Sequence, residues 1–175
     1  MNRSGPTIET ERLTLRPHWL GDHAAFCAIR QDPRVFPYIG GELNDEACWN
    51  RLLRYAGHWS QLGFGIFAIL ERKSGRLIGE TGFADFHRGL GEDFDGFPEA
   101  AWALAADCHG RGYAFEAAQA AHDWHGGKFG PGRTVCLIHP DNAPSFRVAE
   151  RLGYRQFGER HYKGSTLPVL EKVAE

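Results

Sequence analysis

The chain has 175 residues, a net charge of −2 and an apolar fraction of 42%, which bounds it to a single globular domain with a core large enough to fold without disulfides or metal. Its 20 basic residues are scattered and balanced by 22 acidic ones, so no basic stripe exists for nucleic acid. No signal peptide is legible in residues 1–6, and the longest apolar runs, about seven residues, fall far short of a membrane span. A cytoplasmic chain with no nucleic-acid or membrane partner is expected.

Residues 8–16 alternate Leu13 and Leu15 against Arg12, Thr14 and Arg16, which predicts a strand ended by Pro17. Asp22 is placed to cap a helix running to Arg30, and Asp32-Pro33 stops it. Residues 34–41 form a loop that carries Phe36, Tyr38 and Ile39. Asn44 or Asp45 opens a second helix to about Gln61, with Trp49, Leu52, Leu53, Ala56 and Trp59 as its apolar stripe. Strands follow over 64–71 and 77–86, joined by the hairpin turn Lys73-Ser74-Gly75-Arg76. A glycine-rich acidic loop, 87–98, leads into a strand over 99–106. Beyond it, Ala114, Ala117, Ala118 and Ala121 repeat at helical spacing from about Gly112, until the glycine-rich run 126–132 breaks the helix. A strand over 133–139 precedes a helix capped by Asn142, with Pro144 in its first turn and Ser145, Val148, Ala149 and Leu152 facing inward. Gly153 ends that helix, and strands over 154–162 and 166–173 finish the chain.

The order β–α–α–β–β–β–α–β–α–β–β implies one α/β domain over 1–175. Its sheet should be mixed, antiparallel at the hairpins and parallel where helices cross over. Cys27, Cys48, Cys108 and Cys136 form no CxxC pair, so reduced core thiols are expected. Cys108 is the exception to watch, because a helix N-terminus lowers a thiol pKa. His122 and His125 lack a third metal ligand at recognisable spacing and are read as a solvated helix end, so no metal is expected.

The most informative segment is His109-Gly110-Arg111-Gly112-Tyr113-Ala114, between an apolar strand and the alanine-rich helix. A helix start leaves about four backbone N–H groups without internal partners and carries partial positive charge. Glycines let a phosphate approach that start closely, and Arg111 could add a side-chain charge. A nucleoside-triphosphate loop would need Gly-Lys followed by Ser or Thr, which the chain lacks. A dinucleotide fingerprint would need a small residue where Phe115 stands. The coenzyme A loop of the GNAT acyltransferases remains: Gly112 and Ala114 fit it, while His109 occupies a position usually held by Gln or Arg.

Four segments in order resemble the GNAT superfamily, specifically its RimJ/RimL-like branch of ribosomal-protein acetyltransferases. They are the opening Glu9-Thr10-Glu11-Arg12-Leu13-Thr14-Leu15-Arg16-Pro17, then Leu77-Ile78-Gly79, the glycine loop, and Pro140-Asp141-Asn142-Ala143-Pro144-Ser145 with its continuation to Tyr154. The resemblance spans about residues 7–165. It implies a GNAT fold with a mostly antiparallel seven-stranded sheet, about four helices and a central parallel pair, 99–106 and 133–139, that splays. It also implies acetyl transfer from acetyl-coenzyme A to a primary amine, a protein N-terminus or a small molecule, by direct attack in a ternary complex. Ala103 and Leu104 would offer backbone groups to the pantetheine. His109, Gly110, Arg111, Gly112, Tyr113, Ala114, Asn142 and Ser145 would complete the coenzyme site. Association into a homodimer is left open.

Amine attack requires the neutral form, which lies about 4–5 kcal/mol uphill for a lysine-like amine and about 1 kcal/mol for an α-amine at neutral pH. Glu99, at the head of the splayed strand, is the first candidate base, with Glu80 second and Asp85 third. Glu92, Asp93 and Asp95 read as a solvated loop. Many relatives place a tyrosine seven positions after the motif asparagine as the acid for the departing thiolate, and this chain has Ala149 there. Ser145 matches the substitute the resemblance implies. Tyr38 and Trp102 are expected at the acceptor pocket, and Trp49 and Trp59 in the core. The missing tyrosine also admits a different reading, a coenzyme-binding sensor or scaffold without turnover.

Overall fold

Every hairpin and crossover signal feeds one mixed sheet, which the computed structural model describes over residues 5–173. The opening residues 1–4, read above for a leader, lie outside the described residues. The strands are β1 (Ile8–Glu9), β2 (Leu13–Pro17), β3 (Ile66–Glu71), β4 (Leu77–Ala84), β5 (Glu99–Leu104), β6 (Thr134–Leu137), β7 (Arg155–Tyr162) and β8 (Ser165–Lys172). The helices are α1 (His23–Arg30), α2 (Asp45–Leu62), α3 (Tyr113–Phe129) and α4 (Ala143–Leu152). The sheet therefore has eight strands in the order β1-β2-β3-β4-β5-β6-β8-β7, not seven. The additional strand arises because the predicted 8–16 strand folds back on itself. Thr10 Oγ1 accepts from the Leu13 amide and breaks the run, so Ile8 pairs Leu15.

All pairings are antiparallel except β5 with β6, which meet only at Glu99 and Val135. Beyond that point the two strands part, as the expected splay requires. The sheet's faces divide by alternation. Ala100, Trp102 and Leu104 pack toward α3 and α4, against Ala118, Ala149 and Tyr113. Ala84 and Ala101 pack toward α1 and α2, against Phe26, Leu52 and Tyr55.

Several local expectations are corrected. Asp22 makes no side-chain cap on α1; its buried carboxylate takes a bidentate grip from Arg16 at 2.7 and 2.8 Å. Charge pairing outweighs one capping bond. The buried face of α2 is Cys48, Leu52, Tyr55 and Trp59, while Trp49 and Leu53 face outward, so the stripe was displaced by one position. Helix α3 runs through Gly126 and Gly127 to Phe129. There the aromatic contacts of His125 with Phe83 and Phe129 override weak glycine propensity.

His122 and His125 are not a solvated helix end. His125 is buried, and His122 sits in a chain of hydrogen bonds. The Ala118 carbonyl can only accept, which places the His122 proton on Nδ1 at 2.7 Å and leaves Nε2 to accept from the Tyr154 hydroxyl at 2.9 Å. Burial pushes the His122 imidazole down to about 4, and burial does the same to His18, wedged between the Phe26 and Tyr55 rings. Both histidines are thus neutral in the fold while their unfolded values lie near 6.5. Their stabilisation is complete above pH 6.5 and is lost as pH falls toward 4, because the unfolded chain takes up protons first. Each is worth up to about 3 kcal/mol. The melting temperature should fall steeply between pH 6.5 and 4.5, and His122→Gln should flatten that slope. An unchanged slope would assign the acid sensitivity to other groups.

Candidate active site

Helix α3 starts at Gly112, whose φ of +77° lies in the left-handed region open to glycine. No side chain caps this start, whereas Asn44 caps α2 and Asn142 caps α4. An uncapped helix end facing a cleft offers its free N–H groups to an anion. That cleft holds about 460 Å³, and its walls include Leu104, His109, Gly110, Gly112, Tyr113, Ala114, Asn142 and Ser145. Arg34, Arg147 and Arg151 also line it, three cations that sequence reading did not single out. Gly112 and the three arginines together suit the phosphates of coenzyme A.

Arg111 contributes differently from expectation. Its side chain is not among the lining groups, and its carbonyl accepts from Arg12 at 2.9 Å. Arg12 also pairs with Glu116, so the opening strand anchors the loop. His109 Nε2 donates to the Leu104 carbonyl at 3.0 Å and ties the loop to the end of β5. Cys108 is buried and its thiol is pushed up by that burial, against the expectation of activation at the helix start. It lies in a separate 3-10 turn, Ala106–Cys108.

The splay exposes a different pair of β5 residues from the one expected. The Ala105 amide donates to Ile78 on β4, and Ala101 accepts from Thr81, so odd positions face β4. Pro98 accepts from Val135 on β6, so even positions face the gap. Ala103 therefore turns its backbone to β4, while Trp102 and Leu104 turn theirs to the gap.

A second cleft of about 450 Å³ opens on the other side of the gap. It shares Tyr38, Ile39, Trp102, Ala103, Asn142 and Ser145 with the first, so the two meet at the splay. At the meeting point Trp102 Nε1 donates to Ser145 Oγ at 3.2 Å. Ser145 is held in the first turn of α4, where its amide donates to Asn142 Oδ1 at 3.2 Å. Its oxygen thus accepts from the indole, and its own hydrogen remains to be donated elsewhere.

Both leading carboxylates line the second cleft, on the α1/α2 face of the sheet, and both are buried. Arg88 grips Glu99 at 2.7 and 2.8 Å and reaches the Tyr162 hydroxyl at 3.0 Å. Burial pushes the Glu99 carboxyl up, only partly offset by Arg88. Burial also acts on Glu80, but there the Arg30 and Arg51 charges and the Tyr55 hydroxyl outweigh it and hold the carboxyl low. Arg30 bonds Glu80 and the Ile39 carbonyl at 3.1 Å, so it fixes the loop that carries Tyr38. Asp85 is not among the lining residues; it accepts from the His87 amide at 3.0 Å. The acidic loop is pinned rather than solvated, with Asp95 accepting from the Leu90 and Gly91 amides and Phe94 buried. Arg30, Arg88 and Tyr162 carried no local signal: their partners lie 50, 11 and 74 positions away.

Among the described residues, His23, Cys27 and Asp45 form the one group spaced for a metal, at a surface apart from both clefts. No helix of the described chain is long and apolar enough to cross a membrane.

Comparison with known proteins agrees with this arrangement. The model of the acetyltransferase (GNAT) domain matches residues 12–155. An uncharacterized N-acetyltransferase, p20 of Bacillus licheniformis, is 27% identical over 87% of this chain and 84% of its own length. A GnaT-family acetyltransferase structure from Bordetella pertussis is 36% identical and superposes with a TM-score of 0.87, covering 96% of this chain and 99% of that one. The ribosomal L7/L12 α-N-protein acetyltransferase RimL, solved with coenzyme A, shares the fold at 14% identity and a TM-score of 0.76, over 97% of this chain and 98% of its own. A sheet that parts beyond Glu99, a cleft of about 460 Å³ at the uncapped helix and a family match across most of the chain lead to one conclusion: this protein is a GNAT acetyltransferase, of the class that uses acetyl-coenzyme A to acetylate amines.

Proposed function

We propose that the chain acetylates a primary amine, at a protein N-terminus or on a small molecule, by direct attack with both substrates bound. The RimJ/RimL-like sequence motifs support this reading. The observation that carries it is the meeting of the two clefts at Trp102 and Ser145. When bound, acetyl-coenzyme A supplies the activated acyl carbon and a thiolate leaving group. The Gly112 turn and the nearby arginines hold its phosphates, and the gap-facing backbone of Trp102 and Leu104 orients its amides.

Glu99 is the base. With burial raising its carboxyl, it is a stronger proton acceptor than Glu80, whose charge Arg30 stabilises. A strand rises about 3.3 Å per residue, so Glu99 lies roughly 10 Å along β5 from Trp102. That distance exceeds direct contact, and the proton passes from the amine to Glu99 through water in the cleft. Ser145 donates its hydrogen to the departing sulfur, near the positive end of α4. The carbon–sulfur bond breaks as the carbon–nitrogen bond forms, and the thiolate regains a proton from solvent.

Free thiol should appear when acetyl-coenzyme A and a primary amine are supplied together, with the amine gaining an acetyl mass. Glu99→Gln should slow a lysine-like acceptor more than an α-amine, and most at lower pH, where deprotonation costs most. Tight coenzyme binding without thiol release on any amine would favour the sensor reading, to which Ala149 in place of the tyrosine already points. A Glu99→Gln rate and pH profile matching the parent would move the base to Glu80.

A further inference from the structure

The acceptor cleft is strongly cationic for a site that must receive an amine. Five cationic side chains line it against two carboxylates. Both carboxylates are already matched, Glu80 by Arg30 and Glu99 by Arg88. Arg51, Arg54 and Lys163 remain, and among the described residues none of the three forms an ion pair. Arg51 and Arg54 are one turn apart on α2, so their head groups rise from the same stretch of the wall. Arg51 acts on the Glu80 charge only from beyond ion-pair distance, and Arg54 lies over the Phe86 ring at 5.0 Å. Asp93 pairs with Arg160, Asp95 closes its own loop and Asp85 accepts from the His87 amide, so none of the three pairs with Arg51, Arg54 or Lys163. Burial and the neighbouring Arg51 and Arg88 charges lower the Arg54 pKa, as expected where like charges crowd without a counter-ion.

Such a wall repels a polyamine or a lysine-rich segment and disfavours any ammonium ion. It attracts an anion. We infer that the acceptor is an amine that carries a carboxylate or another anionic group close to its nitrogen, held by Arg51 and Arg54 with Lys163 at the rim of the cleft. This inference rests on the acetyltransferase reading above and narrows its substrate. Two sources share the chemistry, a free amino acid and a protein N-terminus followed by an acidic residue.

Acceptors of equal size and amine type but different charge test it. Tripeptide amides beginning with serine and carrying glutamate, glutamine or lysine second would be compared by kcat/KM, with serine against serinamide as the free amino acid arm. The glutamate peptide should exceed the lysine peptide by about tenfold or more, and the Arg51→Gln/Arg54→Gln double variant should collapse that ratio to about twofold. Its coenzyme Kd and melting temperature report that it is folded. A serine advantage over serinamide supports the amino acid source, and a peptide advantage alone supports the N-terminus. Equal rates across charge in both arms, or a preference for lysine, would overturn the inference. Should no acceptor react, calorimetric binding of the same compounds to the coenzyme-loaded protein decides. Charge-ranked binding then keeps the cationic site and removes the transferase reading, and unranked or absent binding removes the site.

Discussion

Gly112→Val is expected to weaken coenzyme A binding by at least about tenfold, on the order of 1.4 kcal/mol. Two effects add. At a φ of +77° a side chain strains the backbone, by about 1–3 kcal/mol for a residue other than glycine, and more for a β-branched one. The new methyl groups would also stand at the turn that lines the first cleft, where the proposed function seats the diphosphate. The protein itself leaves room, since a Cβ at this position would meet only Arg12 Nη2 at an ordinary 3.5 Å. The strain should therefore lower the melting temperature, while the methyl groups at the turn lower the calorimetric affinity, and the two measurements separate the effects. Unchanged affinity in a folded variant would move the diphosphate away from this turn.

Ser145→Ala is expected to lower kcat by about a hundredfold, the scale on which a single well-aimed donor to developing negative charge contributes. Coenzyme Kd should change little, because the serine's backbone contact with Asn142 survives the substitution. Trp102→Phe should give a smaller loss of the same kind. It removes the indole N–H that orients the hydroxyl at 3.2 Å but leaves the hydroxyl in place. Single-turnover rates with a saturating α-amine separate this step from product release. Full activity in Ser145→Ala would mean that alignment of the two substrates supplies the acceleration unaided.

The elements and their order were readable because their signals are local. Asn44 and Asn142 accept from amides three positions on, Gly112 and Gly153 mark helix ends by positive φ, and the alanines of α3 recur at helical spacing. Strand ends were overestimated, as in 99–106 against Glu99–Leu104, because apolar character continues after the ladder stops. The α2 stripe was misplaced for a related reason. Trp49 and Leu53 are as apolar as Leu52, and only the neighbouring α1 and β4 decide which side is buried.

By itself the sequence determined the α/β order, the glycine turn at Gly112 and the serine at the head of α4, since each depends on residues within a few positions of one another. Only the tertiary structure decided the electrostatic environment and accessibility of the site. Glu99 and Glu80 look alike as letters, yet burial raises one while Arg30, drawn from 50 positions away, holds the other low. Arg51 and Arg54, which form no ion pair, likewise become visible only once Glu80 and Glu99 have found Arg30 and Arg88. Electrostatic interactions depend on distance in space and on exclusion of water, and neither is encoded by distance along the chain.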